Sequence, residues 1–158
     1  MFDRQSWLSL LPFLFACFIA AAIGAAATRR SVKTWYLTLH RPAWTPPSLI
    51  FAPVWSTLYL MMSLSAWLVW RETPWPAARS ALILFAIQLV LNAIWSILFF
   101  ALHRPGPAYA EILLLLTMIV ATITAFLPLS FLAAWLLLPD AIWVAFAAYL
   151  NLRIWQLN

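Results

Sequence analysis

The sequence predicts an all-α membrane protein, a bundle of five transmembrane helices forming one domain over residues 1–158. Three observations predict it. First, 66% of the 158 residues are apolar and 8% are charged, whereas a soluble domain is about half apolar and about a quarter charged. Second, the apolar residues gather in five runs, each near the ~20 residues that a membrane-spanning helix needs. Third, strand alternation is absent, and stretches such as 112–123 are apolar all round. In lipid such a run must satisfy its own backbone, which a helix does. A water-soluble enzyme core, a disordered tail and a nucleic-acid-binding domain are excluded. The net charge of +5 comes from nine Lys and Arg against four acids. These lie mostly between the runs, where they set topology and touch lipid headgroups.

The first helix is expected at about 7–27. A secretory signal is its rival reading. However, Asp3 offsets Arg4, and the basic cluster Arg29, Arg30 and Lys33 follows the apolar run, the wrong flank for secretion. Ala16, Ala20, Gly24 and Thr28 recur every fourth residue. That stripe suits either close approach to a neighbouring helix or an ordinary Ala-rich helix. Residues 28–45 form the one long connection, TRRSVKTWYLTLHRPAWT, with Trp35, Tyr36 and Trp44 expected at headgroup level.

The second helix is expected at about 46–70, with Thr45 as its cap and Pro46 in its first turn. The third, fourth and fifth follow at about 79–102, 107–127 and 131–156, the last containing Pro139. Arg4, Arg71 and Arg79 fall on the N-terminal side of the bundle. Arg29, Arg30, Lys33, Arg41, Arg104 and Arg153 fall on the other. That excess puts the N-terminus outside and the C-terminus in the cytoplasm. A short echo, Trp55 to Tyr59 against Trp95 to Phe99, places an aromatic one turn after a Trp in two helices. Five positions do not make a duplication.

Cys17 is the only cysteine, so no intrachain disulfide and no multi-cysteine metal site is available. Gly24 and Gly106, the only glycines, cannot build a phosphate-cradling loop. No metal site, required cofactor or catalytic residue emerges. Inside a membrane the polar residues are the informative ones. Gln88, Asn92 and Ser96 share one face of the third helix, bordered by Trp95 and Phe99. Asp140, Trp143, Ala147 and Asn151 share a face of the fifth, and Trp55, Tyr59 and Met62 a face of the second. Taken singly, each amide reads as interhelical hydrogen-bond glue. Turned inward together, the three faces would line an apolar pocket with a few fixed polar groups. Glu111, read in the first turn of the fourth helix, and Asp140, just after Pro139, are read as structural acids. No chain of titratable partners for a proton relay is visible. His40 and His103 fall at segment ends and read as interfacial histidines rather than haem ligands.

With these residues in place the sequence resembles the TspO/translocator-protein family, the tryptophan-rich sensory proteins or peripheral benzodiazepine receptors. Three stretches carry the resemblance. WYLTLHRPAWTPP at 35–47, followed by Phe51, Trp55 and Tyr59, fits the family pattern W-Y-x-x-L-x-K-P-x-W-x-P-P. QLVLNAIWSILFF at 88–100 supplies Asn92, Trp95, Ser96 and a double Phe. LPDAIWVAFAAYLNLRIWQLN at 138–158 supplies Pro139, Trp143, Ala147 and Asn151. Departures are Arg41 for the usual Lys, His40 at a variable position, and Asp140 where many members carry Tyr.

The resemblance implies a bacterial inner-membrane homodimer, embedded in lipid and without nucleic-acid partners, acting as a receptor or sensor. Its ligands would be porphyrins such as protoporphyrin IX and haem, held in a cavity opening toward the long loop. The ligand positions it implies are Tyr36, Pro46, Trp55, Tyr59, Asn92, Trp95, Phe99, Trp143 and Ala147. It also leaves open light-dependent oxidative degradation of protoporphyrin, using Trp55 and Trp143, and transport of porphyrins or other lipophiles. Val144, Tyr149 and Arg153 meet the family's sterol motif. The residues agree with a tetrapyrrole, whose flat apolar ring suits a slot walled by Trp and Phe. Its propionates would meet Arg29, Arg30, Lys33 and Arg41.

Overall fold

A computed structural model describes residues 6–158. Helix α1 runs Leu11–Ser31, preceded by a 3-10 turn at Trp7–Leu10. It is followed by the short α2 (Trp35–Thr38), then α3 (Ser48–Glu72), α4 (Trp75–Ser96), α5 (Pro105–Phe126) and α6 (Phe131–Leu157). Five helical segments are long and apolar enough to cross a membrane: Trp7–Ser31, Ser48–Glu72, Trp75–Ala101, Pro105–Phe126 and Phe131–Leu157. Among the described residues there is no strand. Arg4, counted toward the charge asymmetry, lies outside the described residues.

Two boundaries differ from the expected ones by a full turn. α1 continues to Ser31, so Arg29 and Arg30 end a helix instead of opening a loop, where their charge complements the helix dipole. α4 begins at Trp75, because the Pro74 and Pro76 pair is already suited to a helix start. Thr45 does not cap α3. Its hydroxyl donates to the Pro42 carbonyl at 2.7 Å, and Pro47 holds the cap position without a side-chain bond. Ser130 does cap α6, accepting from the Ala133 amide.

The long helices close into a ring. α1 packs on α3 and α4, α4 on α5, α5 on α6, and α6 returns to α3. The outward surface is apolar, with Phe15, Ile83 and Ile142 exposed, as a lipid-facing surface requires. At the N-terminal end, Trp67 of α3 is nearly sealed. Its indole donates to the Ser9 hydroxyl at 2.9 Å, Trp7 stacks on it at 5.0 Å, and the Arg71 guanidinium lies over the ring at 4.3 Å. The small-residue stripe of α1 resolves toward close approach. Ala20 and Gly24 are buried, and a β-carbon on Gly24 would stand 3.2 Å from the Ser96 hydroxyl of α4. Gly24→Val should therefore push α1 from α4 at a cost of ~1–3 kcal/mol. A lowered thermal midpoint in detergent checks this, and an unchanged midpoint would contradict the close packing.

α4 does not end as a regular helix. Ile97–Ala101 widens to a π turn, with the Leu102 amide bonded to the Ile97 carbonyl at 2.9 Å. Such a turn adds a residue per loop and re-aims side chains. Here it brings both Phe99 and Phe100 to the interior. His103, at φ 54°, then reverses the chain into α5.

Candidate ligand-binding site

Between α1, α3, α4 and α6, at the end carrying the long connection, lies a cavity of about 560 Å³. That volume falls within the ~300–1,000 Å³ of small-molecule sites. Its walls are aromatic. Trp55 and Tyr59 stand one turn apart on α3 with ring centroids 5.8 Å apart, and Trp95 and Phe99 repeat the arrangement at 5.7 Å. Trp55 and Trp95 face each other at 6.3 Å. Trp143 comes from α6, braced by Phe51 and Phe146. Ala147, one turn further along α6, is buried and leaves the wall recessed beside Trp143.

Seven of the nine expected ligand positions thus line the cavity: Tyr36, Trp55, Tyr59, Trp95, Phe99, Trp143 and Ala147. Pro46 and Asn92 do not. Pro46 lies in a separate shallow recess with Arg41 and Thr45, because α3 starts two residues later than expected. Asn92 is fully buried behind the wall, where its Oδ1 accepts from the Tyr59 hydroxyl at 3.0 Å and fixes that ring. Asn151 is on the wall and acts in the same way. Its Oδ1 accepts from the Trp95 indole at 3.1 Å while its Nδ2 donates to the Pro105 carbonyl at 2.7 Å. The Trp143 indole nitrogen is buried and has no hydrogen-bond partner.

α1 is a wall the sequence reading missed. Ala21, Gly24, Ala25 and Thr28 line the cavity, and the four-residue spacing of Gly24 and Thr28 was the available signal. Ala22, Ala25, Ala52 and Ser56 are exposed wall residues, so α1 and α3 leave a gap along this stretch. α5 contributes nothing to the wall. Of the sterol-motif positions, Val144 is fully buried while Tyr149 and Arg153 are exposed, so the three do not share one surface. Glu111 falls in the second turn of α5, not the first.

The long connection folds over the cavity as a lid. Tyr36 is only 3% exposed and packs against Phe99 and Phe100, so it is a lid residue and not an interfacial one. Burial raises its hydroxyl pKa above the ordinary value, and the hydrogen bond and charge of Arg41 partly offset that rise. Arg41 lies over the ring at 4.8 Å. Trp35 stacks on His103 at 4.3 Å, and His103 Nε2 lies 3.0 Å from the Ser31 hydroxyl, which donates to the Phe100 carbonyl. Trp44 stacks on Tyr149 of α6 at 5.3 Å. Of the four cations assigned to propionates, Arg29 and Lys33 reach the cavity wall; Arg30 and Arg41 do not.

Asn158 latches this lid. Its side chain accepts from the His40 amide and donates to the His40 carbonyl, both at 3.0 Å. Asn158→Ala removes both bonds, about 1 kcal/mol in all, or about fivefold in local opening. Hydrogen exchange at the His40 amide should speed up by that factor, and unchanged exchange would show that Asn158 does not hold the loop.

Residues 13–156 match the model of the TspO/MBR family. The chain is 37% identical over 155 residues to the tryptophan-rich protein TspO of Chlorobaculum tepidum, covering 96% of each. It is 38% identical over 155 residues to the translocator protein of Bos taurus, covering 96% of this chain and 91% of that one. Protein CrtK of Rhodobacter capsulatus is 36% identical over 148 residues, covering 92% of each.

Proposed function

The chain belongs to the TspO/MBR family of integral membrane proteins, and on that premise we propose that it is a receptor for porphyrins, protoporphyrin IX and haem among them. The observation that carries this reading is the cavity walled by Trp55, Trp95, Trp143 and Phe99 with Ala147 recessed between them. Indole and phenyl faces stack offset or edge-on against a flat ring system, and each such pair adds about 0.5–1.5 kcal/mol beyond area burial. Thr28, Arg29 and Lys33 sit on the wall near the lid, where ring carboxylates find cations without crossing the apolar interior. The six cations at the lid end favour a cytoplasmic C-terminus.

Titrating purified protein with protoporphyrin IX should quench tryptophan fluorescence saturably, because three tryptophans would contact the ring. Folded protein that shows no saturable quenching overturns the reading. Light-driven oxidation of the bound porphyrin is a second reading, favoured by the unpartnered indole nitrogen of Trp143 on a wall shared with Trp55. Trp143→Phe should then stop product formation in light while binding persists. Equal loss of both would assign Trp143 to packing.

A further inference from the structure

One turn below Trp143, away from the lid, lies a polar cluster that the aromatic wall does not use. Asp140 of α6 is fully buried, and neither of its carboxyl oxygens has a hydrogen-bond partner. Among the described residues no Arg, Lys or His forms an ion pair with it. The titratable groups near it come from two other helices. Cys17 of α1 and Tyr59 of α3 both lie within electrostatic reach of the carboxyl. From α4 comes Asn92, fully buried, whose Oδ1 accepts from the Tyr59 hydroxyl while its Nδ2 is unpartnered. The titratable groups of α5, Tyr109 and Glu111, lie near its start, at the end joined to α6 through Asn151 and Pro105. Among the described residues, no charged side chain pairs with Asp140.

A carboxylate buried without a partner is unfavourable, and a proton on it relieves the burden. The cluster also touches the cavity. Tyr59 belongs to both, and Trp143 follows Asp140 by three residues on one helical face. Water filling an open cavity would lie on the far side of these two rings and would stabilise charge beneath them. A flat apolar ligand would expel that water.

We propose that Asp140 is a proton-binding site linked to the cavity above it, taking up one proton when an apolar ring fills the cavity and releasing it when the ring leaves. The linkage rests on the receptor reading of the cavity; the proton site itself does not. The proton comes from bulk water and forms an O–H bond on one Asp140 oxygen, and no other bond changes. The sign follows from reciprocity. If the ligand favours the protonated carboxyl, protonation favours the ligand, so affinity rises as pH falls. One linked proton gives at most about tenfold per pH unit.

The test uses protoporphyrin IX dimethyl ester, which has no free carboxyl of its own to titrate. Fluorescence-quenching titrations from mildly acid to mildly alkaline pH should show affinity in the intact protein falling as pH rises, by up to tenfold per unit. Asp140→Asn, with Asp140→Ser as a second variant, should bind with no pH slope. Cys17→Ala and Glu111→Gln should keep the slope. A flat profile in the intact protein, or a slope that survives in both Asp140 variants, overturns the linkage. Infrared spectra of the ligand-free protein decide the site separately. A carboxylic-acid C=O band at acid pH that Asp140→Asn removes upholds it. If the ester binds at no pH, the receptor reading falls while the band still reads the site, and absence of the band at acid pH overturns the site as well.

Discussion

Replacing Ala147 by Phe is expected to weaken protoporphyrin IX binding by about 10- to 100-fold while the helix bundle stays folded. The β-carbon of Ala147 faces the cavity one turn beyond Trp143. A phenyl ring there fills the recess beside Trp143 instead of entering the packed interfaces with α3 and α5. Forcing a ligand past added bulk costs about 1.4–2.8 kcal/mol, which gives the quoted factor. Ala147→Thr should cost less. Its hydroxyl can donate to the carbonyl four residues back, as Thr57 and Thr117 already do in α3 and α5, and needs no new partner. Fluorescence-quenching titration of both variants checks the order. Unchanged affinity in both would mean that α6 is rotated from this assignment.

The largest stability effect is expected from Asn151→Leu. Asn151 is 1% exposed and joins three elements: it accepts from the Trp95 indole of α4 and donates to the Pro105 carbonyl that opens α5. Leu fills similar space but leaves a buried indole N–H and a half-buried carbonyl unpaired, at ~1–3 kcal/mol for the indole and less for the carbonyl. A net loss of about 2–3 kcal/mol lowers the thermal midpoint of a domain this size by roughly 5–10 °C. Because Trp95 is a wall residue, ligand affinity should fall too. A midpoint within error of the parent would show that Trp95 and Pro105 find other partners.

The fold was legible because lipid imposes one rule on every residue of a span, and a run of twenty apolar side chains states it locally. The aromatic pairs on α3 and α4 were legible for a similar reason, since one-turn spacing puts Trp55 with Tyr59 and Trp95 with Phe99 whatever the tertiary structure. What depends on two distant segments was not. The π turn at Ile97–Ala101, which sets Phe100 beside Phe99 just before the chain reversal at His103, is one such feature. Pro46 and Asn92 belonged to the right motifs, yet they stand behind or beside the wall, which only the start of α3 and the Tyr59 hydrogen bond reveal. Gly24 was legible as a small residue. That its smallness serves both the α4 contact and the cavity wall required α4 in place. Asp140 was seen without its surroundings, because Cys17 and Tyr59, within electrostatic reach of it, lie more than eighty residues away in sequence.

The central claim is that the aromatic cavity between α1, α3, α4 and α6 holds the tetrapyrrole. A structure determined with protoporphyrin IX bound tests it most directly. The account predicts the macrocycle inside that cavity, with Trp55, Trp95 and Trp143 against its faces or edges, Ala147 beneath it and its carboxylates toward Arg29 and Lys33. A porphyrin resting on the lipid-facing surface, with the cavity free of it, would contradict the account.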